Sequence, residues 1–311
     1  MADSAKSNRS ASYNTRYATL GGLLAILLWS TTIALVRSLS ESIGPLSAAT
    51  CVYLIAGLFC LIPPMIRGKS LVHFRTLPNR YLLGCGFLFI AYMALLYLGI
   101  GLGKDRQQVL EIGLLNYLWP ALTILFSVIL LKKQASLFLP VGTLLALWGV
   151  VMAMSQGSSI SWNSFLANVQ SNFLAYLFGF LAACSWALYS NLTCRWETKM
   201  DRAVDLYLPV TGLVFWIIRW LYPEEGIWNM QCVGEACFLG GVTALAYALW
   251  ENAMRKGDVL IVAAFSYCTP LLSTLVSCVY LKVMPGPRLW IGCVLIIIGS
   301  IISWRSVSSR T

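Results

Sequence analysis

Long apolar stretches recur along the chain and are separated by short polar connections. A helix needs roughly 20 mostly apolar residues to cross a bilayer, so stretches of this length are typical of membrane-spanning helices. The pattern predicts ten such segments, at residues 17–38, 46–66, 81–103, 107–131, 137–155, 173–194, 204–222, 234–254, 259–281 and 288–304. We therefore expect an all-α integral membrane protein.

Polar segments flank and divide these helices. Residues 1–16 are predicted to be a disordered cytoplasmic tail, residues 156–172 an extracytoplasmic loop and residues 305–311 a cytoplasmic C-terminal tail. The first apolar segment is longer than the core of a signal peptide and lacks a convincing cleavage site, so we expect it to be retained. The remaining residues form two predicted five-helix repeats, 17–155 and 173–304.

The two repeats resemble each other in sequence. A shift of 150 aligns Gly84/Gly234, Tyr97/Tyr247, Tyr117/Tyr267, Pro120/Pro270, Lys132/Lys282, Gly142/Gly292 and Gly149/Gly299. A shift of 157 aligns Gly22/Gly179, Ala25/Ala182 and Trp29/Trp186, whereas the second segments of the two halves align poorly. Because five is odd, the second repeat must enter the membrane from the opposite side. This inverted topology is typical of transporters, in which the two halves rock about a central site.

Composition and charge support this interpretation. The chain of 311 residues is 59% hydrophobic and 11% charged, which excludes an ordinary soluble domain. Its net charge of +10 lies in short clusters between apolar segments, which favours topology signals over nucleic-acid binding. Of the 22 Lys and Arg residues, 16 fall on one side of the predicted membrane and six on the other. Both termini are therefore predicted to be cytoplasmic.

The fourth and ninth segments carry matching prolines near mid-membrane. Pro120 follows Asn116 and Tyr117, and Pro270 follows Tyr267. A proline removes one helical hydrogen bond and leaves a backbone acceptor beside each tyrosine. We interpret Pro120 and Pro270 as helix-bending hinges, the alternative being kinks that serve packing alone.

Aromatic residues near the bilayer centre indicate a substrate site. A buried Trp or Tyr needs a partner for its N–H or O–H, and aromatic walls favour flat, apolar or cationic ligands. Core packing explains some of these residues equally well. The predicted central cavity is lined by Trp29, Tyr92, Tyr97, Asn116, Tyr117, Trp119, Trp186, Tyr189, Tyr247 and Tyr267.

Glu111 is the only carboxylate well inside a predicted span. Acids within a membrane are costly and are functional candidates. Glu111 could pair with a substrate ammonium, take up a proton, or pair structurally with Lys104 or Arg106. Glu251 lies nearer a predicted helix end and is expected to be solvated.

No catalytic motif, metal-binding motif or nucleotide loop is present in the sequence, so we expect neither an enzyme nor a cofactor. The sole histidine, His73, lies in a predicted basic cytoplasmic loop. Cysteines fall mostly within apolar segments and form no C-x-x-C pair. Only Cys232 and Cys237, expected in a loop, are candidates for a disulfide.

Three stretches carry a family resemblance: Ala25–Thr31, Glu111–Leu125 with its Asn-Tyr-Leu-Trp-Pro run, and Ser266–Ser273. With ten spans in two inverted halves, the chain resembles the drug/metabolite transporter superfamily in its EamA-type branch, and within it the YddG-type aromatic amino acid exporters. The resemblance covers the chain from Tyr17 onward.

The resemblance implies export of Phe, Tyr and Trp across a bacterial inner membrane. The residues themselves agree equally with a lipophilic-cation, or multidrug, exporter, and a non-transporting membrane scaffold or receptor is a further alternative. Proton antiport and facilitated export both remain open at this stage, as does the oligomeric state.

Overall fold

The computed structural model describes residues 2–66, 78–154, 162–196, 203–280 and 286–308, and nearly all of them are helical. The first eight helices are α1 (Ala2–Ile43), α2 (Pro45–Ile66), α3 (Gly86–Gly101), α4 (Arg106–Asn116), α5 (Trp119–Leu130), α6 (Phe138–Met154), α7 (Trp162–Ser171) and α8 (Phe173–Arg195). The remaining helices are α9 (Val204–Leu221), α10 (Met230–Lys256), α11 (Val259–Phe265), α12 (Thr269–Tyr280) and α13 (Pro287–Arg305). A π-helical turn, Arg80–Cys85, leads into α3, and a 3-10 turn, Ser266–Cys268, joins α11 to α12.

Two short strands pair outside the helices. Strand β1 (Gln134–Ala135) lies antiparallel to β2 (Val307–Ser308), with Gln134 opposite Ser308. The pair therefore joins the connection between α5 and α6 to the segment that follows α13.

Several helices are long and apolar enough to cross a membrane. Within the described residues there are seven such segments: Pro45–Ile62, Arg80–Gly101, Gln107–Leu130, Phe173–Arg195, Val204–Leu221, Met230–Lys256 and Pro287–Arg305. Phe138–Met154 and Val259–Ser273 are shorter apolar helices. Large apolar side chains such as Phe87, Ile129 and Trp148 are exposed on these helices, as expected of surfaces that face lipid. The protein is therefore a multi-pass, all-helical membrane protein.

Two polar segments differ from the sequence expectation. The backbone is helical from Ala2, so the segment 1–16 extends α1 and is not an irregular tail there. No Gly or Pro precedes Gly21, so nothing in the sequence stops this helix from extending towards the N-terminus.

The predicted loop 156–172 contains α7. Its residues Trp162, Phe165, Leu166 and Val169 follow the i, i+3, i+4, i+7 spacing of an amphipathic helix. The segment predicted as an extracytoplasmic loop is therefore helical over Trp162–Ser171, while residues 155–161 lie outside the described parts of the chain.

The two proline-containing segments are each interrupted at equivalent positions. α4 ends at Asn116 and α5 begins at Trp119; α11 ends at Phe265 and α12 begins at Thr269. The starts of α5 and α12 differ by the same 150 positions that relate the two repeats in sequence. Each proline is the second residue of the new helix, where a missing N–H costs little.

The chain forms two compact units, and each unit takes helices from both predicted repeats. Unit 1 comprises Met1–Phe87 and Leu192–Val262, and unit 2 comprises Leu88–Asn191 and Ala263–Thr311. The repeats seen in the sequence are therefore not separate compact bodies.

In unit 2, α6 packs against α13 through reciprocal glycine contacts. A β-carbon on Gly149 would lie 2.7 Å from the nitrogen of Ile296, and one on Gly299 would collide with the nitrogen of Ala146. Gly149 and Gly299 are 150 positions apart, and so are Ala146 and Ile296. The second contact is therefore the first with the two helices exchanged. Such reciprocity is characteristic of two elements related by a two-fold axis.

In unit 1, α2 and α9 show the same kind of reciprocity. A β-carbon on Gly57 would lie 2.6 Å from the Pro209 side chain, and one on Gly212 would lie 2.7 Å from the backbone nitrogen of Leu54. A shift of 155 interchanges these contacts, although Leu54 and Pro209 differ in type. The structure thus supplies the register for the second segments, which sequence alignment did not find.

Candidate functional site

Five aromatic residues of unit 2 pack together around Trp186. We call Phe89, Tyr92, Trp119, Trp186 and Tyr189 the Trp186 cluster. The ring of Trp186 lies 4.8 Å from Tyr92, 5.2 Å from Tyr189, 6.1 Å from Phe89 and 6.2 Å from Trp119, measured between centroids. Most of these pairs are tilted or edge-on, which are favourable arrangements for aromatic rings.

Three helices bring the cluster together because of their residue spacing. Phe89 and Tyr92 are three residues apart on α3, and Trp186 and Tyr189 are three apart on α8, so each pair lies on one helix face. The third helix, α5, contributes Trp119 at its first position. It is tied to α8 by Asn191, whose amide donates to the Thr123 carbonyl at 2.9 Å.

The polar edge of the cluster lies at the end of α4. The side chain of Asn116 lies beside the hydroxyl of Tyr92. Tyr97 and Tyr117 are near enough to Tyr92 to interact with it electrostatically, and all three tyrosines are half-buried. The structure therefore brings seven of the ten predicted site residues together in unit 2.

Two other predicted site residues meet in unit 1. Trp29 on α1 lies 5.2 Å from Tyr247 and 5.2 Å from Trp250, both on α10. Trp29 corresponds to Trp186 in the repeat, and each of the two packs against a tyrosine of a partner helix. Unit 1 thus contains an aromatic group of the same kind.

Tyr267 occupies a different environment. It is fully buried in the 3-10 turn between α11 and α12, beside Thr143 of α6. It makes no ring contact with the Trp186 cluster within the described parts of the chain. Its hydroxyl finds no hydrogen-bond partner there by distance and angle.

Glu111 is buried and is held by neutral donors. Gln107 donates to one carboxylate oxygen at 3.0 Å, the Asn168 amide lies 3.2 Å from the other, and the hydroxyl of Tyr176 donates to that second oxygen. Lys104, one of the two cations considered as a partner, donates to the Ser171 carbonyl at 2.9 Å.

The other candidate cation, Arg106, has a side chain outside the described parts of the chain. The contacts of Glu111 join α4 to α7 and α8, so this carboxylate also has a structural role in unit 2.

Glu251 is the functional candidate that the sequence underestimated. It was expected to be solvated, yet its side chain is fully buried in unit 1. Its carboxylate accepts hydrogen bonds from the backbone N–H groups of Ala203 and Val204, at 3.0 and 2.9 Å, and from the hydroxyl of Tyr81. Arg255 lies 3.9 Å away on the next turn of α10. We call these residues the Glu251 network.

Sequence reasoning also missed Phe89, Trp250 and Asn191. Phe89 lies one helical turn before Tyr92, so the sequence places both residues on one face of α3. It does not show which helix that face contacts.

Cys232 and Cys237 both lie within α10 and have free thiols, one buried and one exposed. Among the described residues, no group of three His, Cys, Asp or Glu side chains could hold a metal ion.

Membrane-length helices, paired helix interruptions and an internal aromatic cluster are together typical of a membrane transporter. Comparison with known families agrees: the model of the EamA-like transporter family matches the chain twice, over residues 16–155 and 173–305. The chain therefore belongs to the EamA-like transporter family.

Similar proteins of known name include two enterobacterial exporters. The aromatic amino acid exporter YddG of Salmonella typhimurium is 31% identical over 94% of this chain and 98% of its own length. That of Escherichia coli is 31% identical over 92% of this chain and 96% of its own. A solved crystal structure with 28% identity matches 92% of this chain and 96% of its own, with a TM-score of 0.77.

Proposed function

We propose that this protein exports the aromatic amino acids Phe, Tyr and Trp across a bacterial inner membrane by alternating access. The observation that carries the proposal is the Trp186 cluster, in which four aromatic rings surround a fifth beside the polar side chain of Asn116. The similar exporters named for aromatic amino acids support the choice of substrate.

Aromatic packing gives an affinity suited to release. Each ring pair contributes about 0.5–1.5 kcal/mol beyond its buried area. Contacts with two or three rings, together with the free energy of burying the ligand's apolar area and less the cost of immobilising it, correspond to dissociation constants of roughly micromolar to millimolar. An exporter that must release its substrate on every cycle needs affinity of this order.

We further infer ten membrane crossings in two inverted repeats, with both termini in the cytoplasm. The reciprocal contacts of α6 with α13 and of α2 with α9 support the two-fold relationship. Two pairings within unit 2 also join segments that the topology places on one side. Strand β1 pairs with β2 on the cytoplasmic side, and Asn172 with Leu102 on the outer side. The double match of the family model, at 16–155 and 173–305, supports the two repeats.

The interruptions at Pro120 and Pro270 supply the hinges of this cycle. A helix whose hydrogen-bond ladder is already interrupted at a proline can change the angle between its two parts at less cost than a continuous helix. The first break lies between Asn116 and Trp119, so its bending moves the polar side chain relative to the aromatic ring that follows it.

Flux into liposomes containing the purified protein tests the function directly. Labelled Trp, Phe, Leu and a lipophilic cation are compared, with and without a pH gradient. We expect Trp and Phe to be transported at least several-fold faster than the other two compounds. Equal flux of Leu and Trp would contradict the aromatic preference, faster cation flux would favour a multidrug exporter, and no flux would favour a scaffold.

Matched tryptophan variants locate the site. Trp186→Ala removes the centre of the cluster and is expected to abolish Trp flux. Trp148→Ala removes an exposed tryptophan of α6 and should leave the flux within about twofold of wild type.

The pH gradient tests proton coupling. If the gradient increases flux and Glu111→Gln removes that increase, Glu111 is the coupling group. Equal flux with and without the gradient indicates facilitated export.

Cysteine accessibility tests the topology. A cysteine at Asn163, which is exposed on α7, should react with an impermeant maleimide added outside the cell. A cysteine at Gln134, which is exposed in β1, should react only after the cell is opened. The reverse pattern would contradict the cytoplasmic termini.

A further inference from the structure

The side chain of Asn116 holds a buried hydrogen-bond acceptor that no described residue satisfies. Asn116 is 7% exposed, and its Oδ1 has no hydrogen-bond donor within the described parts of the chain. Buried polar atoms in native proteins are nearly always paired, so an unpaired carbonyl oxygen marks a place where a donor from outside the protein is expected.

The acceptor lies directly beside the aromatic cluster. The side chain of Asn116 lies beside the hydroxyl of Tyr92, whose ring lies 4.8 Å from that of Trp186, and Trp119 of the cluster follows Asn116 by three residues. Asn116 is also the last residue of α4, before the interruption that precedes α5. A molecule with a flat aromatic group on the cluster and a donor close to that group would meet both features.

The carboxylate nearest to Asn116 in sequence is already hydrogen-bonded. Glu111 lies five residues before Asn116 on the same helix, and its oxygens accept hydrogen bonds from Gln107, Asn168 and Tyr176. With those donors in place, Glu111 contributes to the packing of α4 against α7 and α8. The side-chain oxygens of Asn116 and of Asn191, which lies on α8, are both unpaired within the described residues, and both are neutral.

We propose that Asn116 Oδ1 accepts a hydrogen bond from the α-ammonium group of the substrate, and that this contact selects aromatic compounds carrying an ammonium N–H. The inference rests on the proposed function and specifies its substrate class. A neutral carbonyl oxygen binds an ammonium through its N–H groups, whereas a quaternary ammonium has no hydrogen to donate. Aromatic faces attract both kinds of cation, so the cluster alone does not discriminate between them.

Methylated tryptophans test the effect of the N–H on the α-nitrogen while the charge and size of the compound stay nearly constant. Purified full-length protein in nanodiscs is loaded with labelled Trp, which is then displaced by Nα,Nα-dimethyl-Trp or by Nα,Nα,Nα-trimethyl-Trp. Both carry a positive charge on the α-nitrogen, both keep the indole N–H, and they are nearly equal in size, but only the dimethyl compound has an N–H on its α-nitrogen. We expect the trimethyl compound to compete about tenfold or more weakly than the dimethyl compound. Equal competition by the two would overturn the inference while leaving the proposed function intact.

Two variants connect the discrimination to Asn116. Asn116→Leu removes the carboxamide at similar volume and should reduce the difference between the two compounds to within about twofold. Asn163→Leu alters an exposed asparagine of α7 and should retain the tenfold difference. Retention of the difference in a folded Asn116→Leu protein would overturn the inference. The comparison on wild-type protein remains decisive if that variant does not fold.

Indole-3-propionate, which lacks the amine, completes the series. We expect it to compete at least about tenfold more weakly than Trp. If it competes as well as Trp, the substrate does not need its ammonium and the inference fails. If wild-type protein binds no labelled Trp, the proposed function fails and this inference fails with it.

Discussion

Replacing Glu251 with Gln should destabilise unit 1 strongly. Each carboxylate oxygen of Glu251 accepts one backbone N–H from the first turn of α9, at Ala203 and Val204. A glutamine supplies one acceptor and one donor, so its amide would face one of these N–H groups donor to donor. The variant also removes the negative charge that faces Arg255 at 3.9 Å.

The size of the effect follows from burial. The Glu251 side chain is 0% exposed and that of Arg255 is 4% exposed, so water cannot replace the lost contacts. Breaking a buried ion pair by removing one partner costs about 3–5 kcal/mol, and we expect Glu251→Gln to lower the free energy of unfolding by about this amount. Tyr81→Phe removes one hydrogen bond to the same carboxylate and should cost about 1.5–3 kcal/mol.

Equilibrium unfolding in mixed micelles with increasing sodium dodecyl sulfate measures these differences. Glu235→Gln is the matched control, because Glu235 also lies on α10 but is only half-buried and contacts neutral side chains. It should change the free energy of unfolding by no more than about 1 kcal/mol.

A double variant tests whether Glu251 and Tyr81 act together. Residues in one hydrogen-bond network are not additive, so Glu251→Gln combined with Tyr81→Phe should cost about 0.5–3 kcal/mol less than the sum of the single variants. If Glu251→Gln unfolds like wild type, or if the two effects simply add, then the Glu251 network does not hold α9 and α10 together as described.

Three further substitutions test other parts of the structure. Gly299→Val should prevent accumulation of folded protein, because the valine side chain would overlap the α6 backbone. Gly241→Ala should purify normally by size exclusion, because its β-carbon would lie 3.6 Å from the nearest ring atom of Phe59. Tyr176→Phe removes a donor to the buried carboxylate of α4 and should lower the free energy of unfolding by about 1.5–3 kcal/mol without changing the affinity for Trp. Pro120→Ala permits a continuous helix and should reduce Trp flux several-fold while Trp binding, measured by displacement, stays within about threefold of wild type.

The sequence predicted the helices well where hydrophobicity alone decides them. The spans 204–222 and 288–304 differ from α9 and α13 by only one residue at their ends. Pro120 and Pro270 marked the two interruptions because the chemistry of proline is local. The helix α7 was missed because it is short and polar overall, so its apolar face carries little weight in a reading based on long apolar runs.

The candidate site was less predictable because it depends on which helix faces meet. Periodicity places Tyr92 and Phe89 on one face of α3, but it does not say that this face meets Trp186 of α8. Tyr267 matches Tyr117 in the sequence repeat, yet it packs beside α6, because α12 and its preceding turn have a different neighbour. Matched positions in two repeats therefore do not imply a shared environment.

The two acids show why distance from a helix end is a poor guide to solvation. Glu251 lies near the end of α10, but the first turn of α9 begins there with unsatisfied N–H groups, and these attract a carboxylate away from water. Glu111 likewise accepts hydrogen bonds where α7 and α8 meet α4. Because Glu111 is already hydrogen-bonded within unit 2, we expect a substrate ammonium beside the Trp186 cluster to bind the neutral oxygen of Asn116. That is why discrimination should depend on N–H donation more than on positive charge.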